Sequence, residues 1–229
     1  MSAAAAVLRE DDRGIPRSLP LFAALVDSEA RRYAAAASQP AKTSLVRAFR
    51  GGAAPKLPIR AFLERIHLQI RLEGAARGLV RIDGTCFVLA GIYLTRFICS
   101  SAGREAGILV EPSTAHRLVA VALFLGAKFG GHPPRRWTAV FEASSGGAIR
   151  AAEMADLEGR FLRAIGFRLF VNGERFEWFC KAMERGPQAP NSGGGDCACK
   201  KRKADAATVE EDKRRRVRAC LPPPAVVSH

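Results

Sequence analysis

Cys86-Phe87-Val88-Leu89-Ala90-Gly91-Ile92-Tyr93-Leu94 is apolar on every side, and the run continues through Phe97 and Ile98. A helix with no polar face must be buried all round. A second stretch, Leu118 to Phe129, has the same character, and Pro112, Ser113 and Thr114 before it suit a helix start. Two such helices need a shell of others around them, so the fold follows from what the flanking sequence supplies.

Working outward, Ile59, Phe62, Leu63, Ile66 and Ile70 recur at helical spacing and define a core-facing stripe. Gly74, Gly78 and Gly84 punctuate the turn between this stripe and the first central helix. Ser100 to Gly107 reads as a loop of small residues. Pro133 and Pro134 open a short stretch with Trp137, Val140 and Phe141, and Gly146 and Gly147 end it. Met154, Leu157, Phe161 and Ile165 then mark one helical face, closed by Gly166. A last helix, about Glu174 to Arg185, carries Phe176, Phe179, Cys180 and Met183.

Before this unit, Leu19 to Ala37 is expected to be a helix, with Pro20 near its start and Pro40 ending it. A loose connection containing Gly51, Gly52, Pro55 and Pro58 follows. β-Branched alternation is almost absent, so the fold class is all-α. The expected organisation is an N-terminal extension over 1–54, a five-helix box with a flanking helix over 55–185, and a disordered basic tail over 186–229.

With 229 residues and 48% hydrophobic content the chain has material for one such core. The formal net charge is +14, of which residues 200–229 carry +5. Six cysteines at irregular spacing, Cys86, Cys99, Cys180, Cys197, Cys199 and Cys220, are expected to be reduced thiols. Met1 to Leu8 has no basic region before it and charged residues follow at once, so no signal peptide is expected. The longest uncharged apolar run, Leu118 to Ala127, is ten residues, too short to span a bilayer.

The strings Tyr93-Leu94-Thr95-Arg96-Phe97, Leu123-Phe124-Leu125-Gly126-Ala127-Lys128-Phe129 and Glu153 to Phe167, in this order and spacing, resemble a cyclin box. Leu63-Glu64-Arg65-Ile66 and Phe129 through Pro134 also look like the small P-type (U-type) plant cyclins, relatives of the yeast phosphate-sensing cyclins. The resemblance implies an all-α regulatory subunit that binds and activates a cyclin-dependent protein kinase, in cell-cycle or phosphate signalling, and contributes no catalytic group. It further implies two kinase-facing residues, Lys128 and Glu158. From charge pattern alone, a lysine in a last turn complements the helix dipole and a glutamate beside an apolar stripe is a solvated face.

Two departures accompany the match. Family members usually have an aspartate where Thr95 stands, paired in the core with an arginine at the place of Arg60, so Arg60 must find another acceptor or swing into water. Gly130 and Gly131 stand where two acidic residues often follow the lysine-aromatic pair. Pro112-Ser113-Thr114-Ala115 looks like part of the helix after which cyclin-dependent kinases are named, but its place before an apolar helix gives it a sufficient local role.

Lys200-Lys201-Arg202-Lys203 and Lys213-Arg214-Arg215-Arg216, with Arg218, form the two basic clusters of a bipartite nuclear import signal. A nuclear location and an import receptor as second partner follow as expectations. The competing readings are a nucleic-acid-binding regulator that uses the tail, and a degenerate box that scaffolds some other protein. Cys197 and Cys199 with distant Cys220 and His229 lack the second close pair of a structural zinc site, and His67, His116 and His132 read as packed or surface histidines. No phosphate-cradling glycine loop or nucleophile elbow is present, so no enzyme, metal, cofactor, small-molecule substrate or membrane role is expected.

Overall fold

The computed structural model describes residues 2–34, 43–50, 57–75, 82–130, 137–145 and 149–186. Among them lie ten helices: α1 (Ala3–Leu8), α2 (Ser18–Arg32), α3 (Ser44–Arg50), α4 (Ile59–Ala75), α5 (Gly84–Ile98), α6 (Ser101–Ala106), α7 (Ala115–Phe129), α8 (Trp137–Ser144), α9 (Ala151–Ala164) and α10 (Gly173–Arg185). The described residues contain no strand, only an isolated antiparallel bridge between Glu10 and Pro16. The fold is the expected all-α one, with α4, α5, α7, α8 and α9 as the five helices of the box.

The two wholly apolar helices are the centre. α5 and α7 make the most extensive helix-helix contact among the described residues, and almost every residue of both, up to the last turn, is buried. Glycine lets them approach closely: a Cβ at Gly126 would stand 2.7 Å from the Cys86 carbonyl oxygen, inside contact distance. Gly91 does the same on the other side, where a Cβ would meet the Phe179 ring at 2.5 Å. Asp83 starts α5 by accepting the Cys86 N–H at 3.2 Å.

The shell closes round this pair. The α4 stripe of Ile59, Phe62, Leu63, Ile66 and Ile70 is fully buried, as its spacing predicts. α2 packs on α4 and α5, and α8 packs on α4 and α9. Phe97 of α5 stacks on Phe161 of α9 with centroids 4.3 Å apart, and Phe49 of α3 meets both edge-on. Burial of an aromatic triad of this kind contributes on the order of several kcal/mol.

Several boundaries differ from the sequence expectation. The first long helix ends at Arg32 rather than Ala37; Ala30 is its last buried residue, and helical stability comes from packing more than from alanine propensity. Residues 35–42, with Ala35 to Ala37 and Pro40, lie outside the described residues. The connection before the box contains α3, which buries Val46 and Phe49. The small-residue loop after α5 contains α6: the Ser100 hydroxyl caps it by accepting the Gly103 N–H at 2.9 Å, and Gly107 ends it at φ +67°. Ahead of all these, α1 docks on α10, where both oxygens of Glu177 receive the N–H groups of Ala3 and Ala4 at 2.8 and 3.1 Å.

Candidate functional site

The last turn of α7 and the middle of α9 come together at the surface. Lys128 Nζ donates to Glu158 Oε1 at 2.7 Å and also stands 5.2 Å from the centroid of the Phe124 ring. Phe124 is itself held edge-on by Phe141 of α8 at 5.9 Å. Lys128 belongs at a helix C-terminus because its charge offsets the unpaired carbonyls there. Its side chain is 40% exposed and that of Glu158 16%, so the pair has a wet side and a dry side. The two residues that the resemblance singles out are therefore direct neighbours.

Beside them, Phe129 is left 46% exposed at the end of α7, its inner edge against Tyr93 at 6.4 Å. Tyr93 is fully buried and donates its hydroxyl to the Leu169 carbonyl at 2.9 Å, and burial pushes its phenol well above the ordinary value. Arg96, one turn on, donates to the carbonyls of Arg168 and Phe170 at 2.6 and 3.0 Å. These two side chains fasten the segment that follows α9 against α5.

That segment leaves α9 through a left-handed turn. Gly166 has φ +61° and Phe167 φ +55°, while the Gly166 N–H reaches Arg163 O and the Phe167 N–H reaches Leu162 O, the paired bonds of a Schellman motif. Left-handed backbone is unusual for a phenylalanine, and here it turns the ring outward. Phe167 is 66% exposed and Phe170 76%. The exposure of Phe129, Phe167 and Phe170 has no sign in the sequence beyond Gly166, which marks the turn before Phe167.

The Thr95 departure resolves locally on both of its sides. Thr95 donates its hydroxyl to the Gly91 carbonyl at 2.9 Å within α5. Arg60, lacking a carboxylate opposite, turns outward and pairs with Glu64 at 2.9 Å with 57% of its side chain exposed. Gly131 lies outside the described residues.

The described residues offer no group of three or more metal-ligating side chains, and no helix among them is long and apolar enough to cross a membrane. Burial pushes the Cys86 thiol up to about 12 and the Cys180 thiol up to about 11, which suits packed side chains rather than nucleophiles. His67 and His116 are buried histidines bonded to the carbonyls of Gly14 and Leu57 at 3.1 and 2.7 Å. Lys200, Lys201, Arg202, Lys203, Lys213, Arg214, Arg215 and Arg216, together with Cys197, Cys199, Cys220, His132 and His229, lie outside the described residues.

A family model described as cyclin matches residues 22–169. Cyclin-U4-2 of Arabidopsis thaliana is 29% identical over 140 residues, 61% of this chain and 57% of the relative. Cyclin-P2-1 of Oryza sativa subsp. japonica is 30% identical over 174 residues, 76% of this chain and 66% of the relative. Cyclin-P4-1 of the same species is 29% identical over 173 residues, 74% of each chain. The match thus spans little more than half of the Arabidopsis relative's length.

Proposed function

The chain belongs to the cyclin family, and its relatives are plant cyclins of the P and U types; on that premise we propose that it binds a cyclin-dependent protein kinase and activates it. Cyclins are regulatory proteins, so the chemistry belongs to the partner. The observation that carries the reading is the Lys128–Glu158 pair at 2.7 Å, with the exposed ring of Phe129 next to Lys128 at the end of α7. A partner helix seated there covers the part of the Phe129 ring that water now touches. Its polar groups meet Lys128 and Glu158, which fix its register.

The mechanism is a population shift. A kinase helix that carries the glutamate pairing with the catalytic lysine has inward and outward positions, and a surface that fits only the inward one raises the population of the active state. No proton or electron moves through this chain. The basic clusters at 200–203 and 213–216 support import into the nucleus by a receptor with an acidic groove, where the kinase and its substrates would be met.

The test is to express the chain with candidate cyclin-dependent kinases, capture it, and assay the captured material for phosphoryl transfer. Lys128→Glu with Glu158→Lys keeps the intramolecular pair but inverts the charges shown to a partner, so the captured activity should fall while helical circular dichroism is unchanged. Undiminished capture by that double variant would sink the assigned contact. Retained binding without kinase activation would favour a scaffold, a reading that the absence of an aspartate at Thr95 keeps in view.

A further inference from the structure

Phe124 and Lys128 stand four positions apart on α7 and so share a helix face. Side chains on a helix lean toward its N-terminus, which folds the long lysine stem back over the ring. The ammonium comes to rest 5.2 Å from the Phe124 centroid while it donates to Glu158 Oε1 at 2.7 Å. Phe124 is only 4% exposed, and Phe141, fully buried, meets it edge-on with the ring planes at 90°. α8, which supplies Phe141, packs on α9, which supplies Glu158. The ring and the carboxylate that meet Lys128 are therefore fixed by the same wall of helices.

Burial explains an apolar side chain at position 124 but not an aromatic one, since leucine or methionine fills such a site nearly as well. What the ring adds is a negative face that attracts an ammonium. An ion pair at the surface holds a lysine weakly by itself, because the stem is flexible and water competes for the charge. Lys128 is 40% exposed and has both partners at once. With Glu158 taking one N–H and the ring facing a second side, the ammonium keeps an outward side for an acceptor on a partner. A side chain ordered before binding loses less freedom on binding, which raises affinity.

We infer that Phe124, braced by Phe141, is a positioning residue: its ring holds the Lys128 ammonium beside Glu158 in the geometry that a kinase meets. The inference rests on the kinase contact proposed above and adds to it a residue that acts through Lys128, since its own ring is buried.

Two measurements on the full-length chain test it. In the free chain, the ring current of Phe124 should place the ε-methylene protons of Lys128 upfield of the ordinary lysine position in the NMR spectrum. Phe124→Met, which keeps the volume but not the ring, should return them to that position with circular dichroism unchanged. The second measurement is affinity for a cyclin-dependent kinase captured by the native chain, with phenylalanines carrying one, two and three fluorines placed at position 124. Fluorine weakens the negative face at nearly constant volume, so affinity should fall stepwise, by about threefold to fivefold across the series. The same fluorines at Phe97, which stacks on Phe161 in the core, should leave affinity unchanged. If Phe124→Met loses helical signal, the fluorinated chains supply the test alone, because their rings still fill the site. Lys128 ε protons at the ordinary position in the native chain overturn the inference. Affinity that stays level across the series at position 124, or falls equally at Phe97, overturns it as well. A native chain that binds no kinase overturns the proposed function and the kinase half of the inference, while the free-chain spectrum still decides whether Phe124 holds Lys128.

Discussion

Arg117 and Glu153 meet at 3.0 Å across the contact between α7 and α9, and the same arginine donates to the Ala48 carbonyl of α3 at 3.0 Å. One nearly buried guanidinium therefore joins three helices. Glu153 also accepts the Arg150 N–H at 3.1 Å, so it caps its own helix while holding the arginine. Removing the carboxylate leaves a largely desolvated cation, and Glu153→Ala should cost about 2 kcal/mol, less than a fully buried pair because Glu153 keeps contact with water. Urea unfolding measures this, and Arg117→Met in the same background should recover part of the loss.

The closeness of α5 and α7 sets opposite expectations for two helical glycines. Gly126→Ala places a methyl group 2.7 Å from a backbone oxygen and should destabilise by about 2 kcal/mol, outweighing its gain in helix propensity. At Gly159 of α9 the nearest atom to an added Cβ is a flexible arginine terminus 3.5 Å away, so Gly159→Ala should stabilise by about 0.5–1 kcal/mol. Thermal melts of the two variants, moving in opposite directions, check the packing directly.

His116 gives the fold a pH dependence. Burial first, opposed by its bond to Leu57 and the charge of Asp27, holds its pKa below the ordinary 6.5. The folded state keeps the ring neutral, so its contribution is complete above 6.5 and is lost as pH falls through the lower folded value. The urea midpoint should drop between neutral pH and about pH 5. His116→Gln, which retains a donor toward Leu57, should flatten that part of the curve; an unchanged slope would assign it to other groups.

Glu177 anchors α1. Its pKa is lowered by the N–H groups of Ala4 and Ala3, so the anchor is intact above the ordinary value of 4.5 and is released as pH falls below it. Glu177→Gln should accelerate hydrogen exchange at the amides of Ala6 to Leu8 while leaving those in the middle of α5 and α7 protected. Uniform acceleration across all three helices would mean that α1 does not open on its own.

The centre of the fold was legible in the sequence because two runs without a polar face admit one placement only. The α4 stripe and the Met154–Ile165 face followed from period alone, and their residues are buried as that period requires. α3 and α6 escaped because six or seven residues give fewer than two turns, too little for a period to show. Ser100 and Gly107 announced α6 through capping chemistry instead. The neighbourhood of Lys128 and Glu158 was accessible through family resemblance, since residues 30 positions apart in sequence carry no local sign of meeting. The exposed phenylalanines were hidden for the opposite reason: in sequence a phenylalanine looks like core, and only tertiary packing reveals which ones lack a cover.

The bond between Ala3 and Glu177 spans 174 positions, and Phe22 and Phe179 both approach the gap at Gly91. During synthesis α5 and α7 leave the ribosome long before α10 is made, so the greasiest part of the chain waits without one of its walls. Such a long-range closure is slow in the sense that contact order describes, and it exposes the nascent chain to chaperones until α10 arrives. A chain cut short before α10 is therefore expected to leave the Gly91 face of α5 uncovered and to be cleared from the cell faster than the whole one.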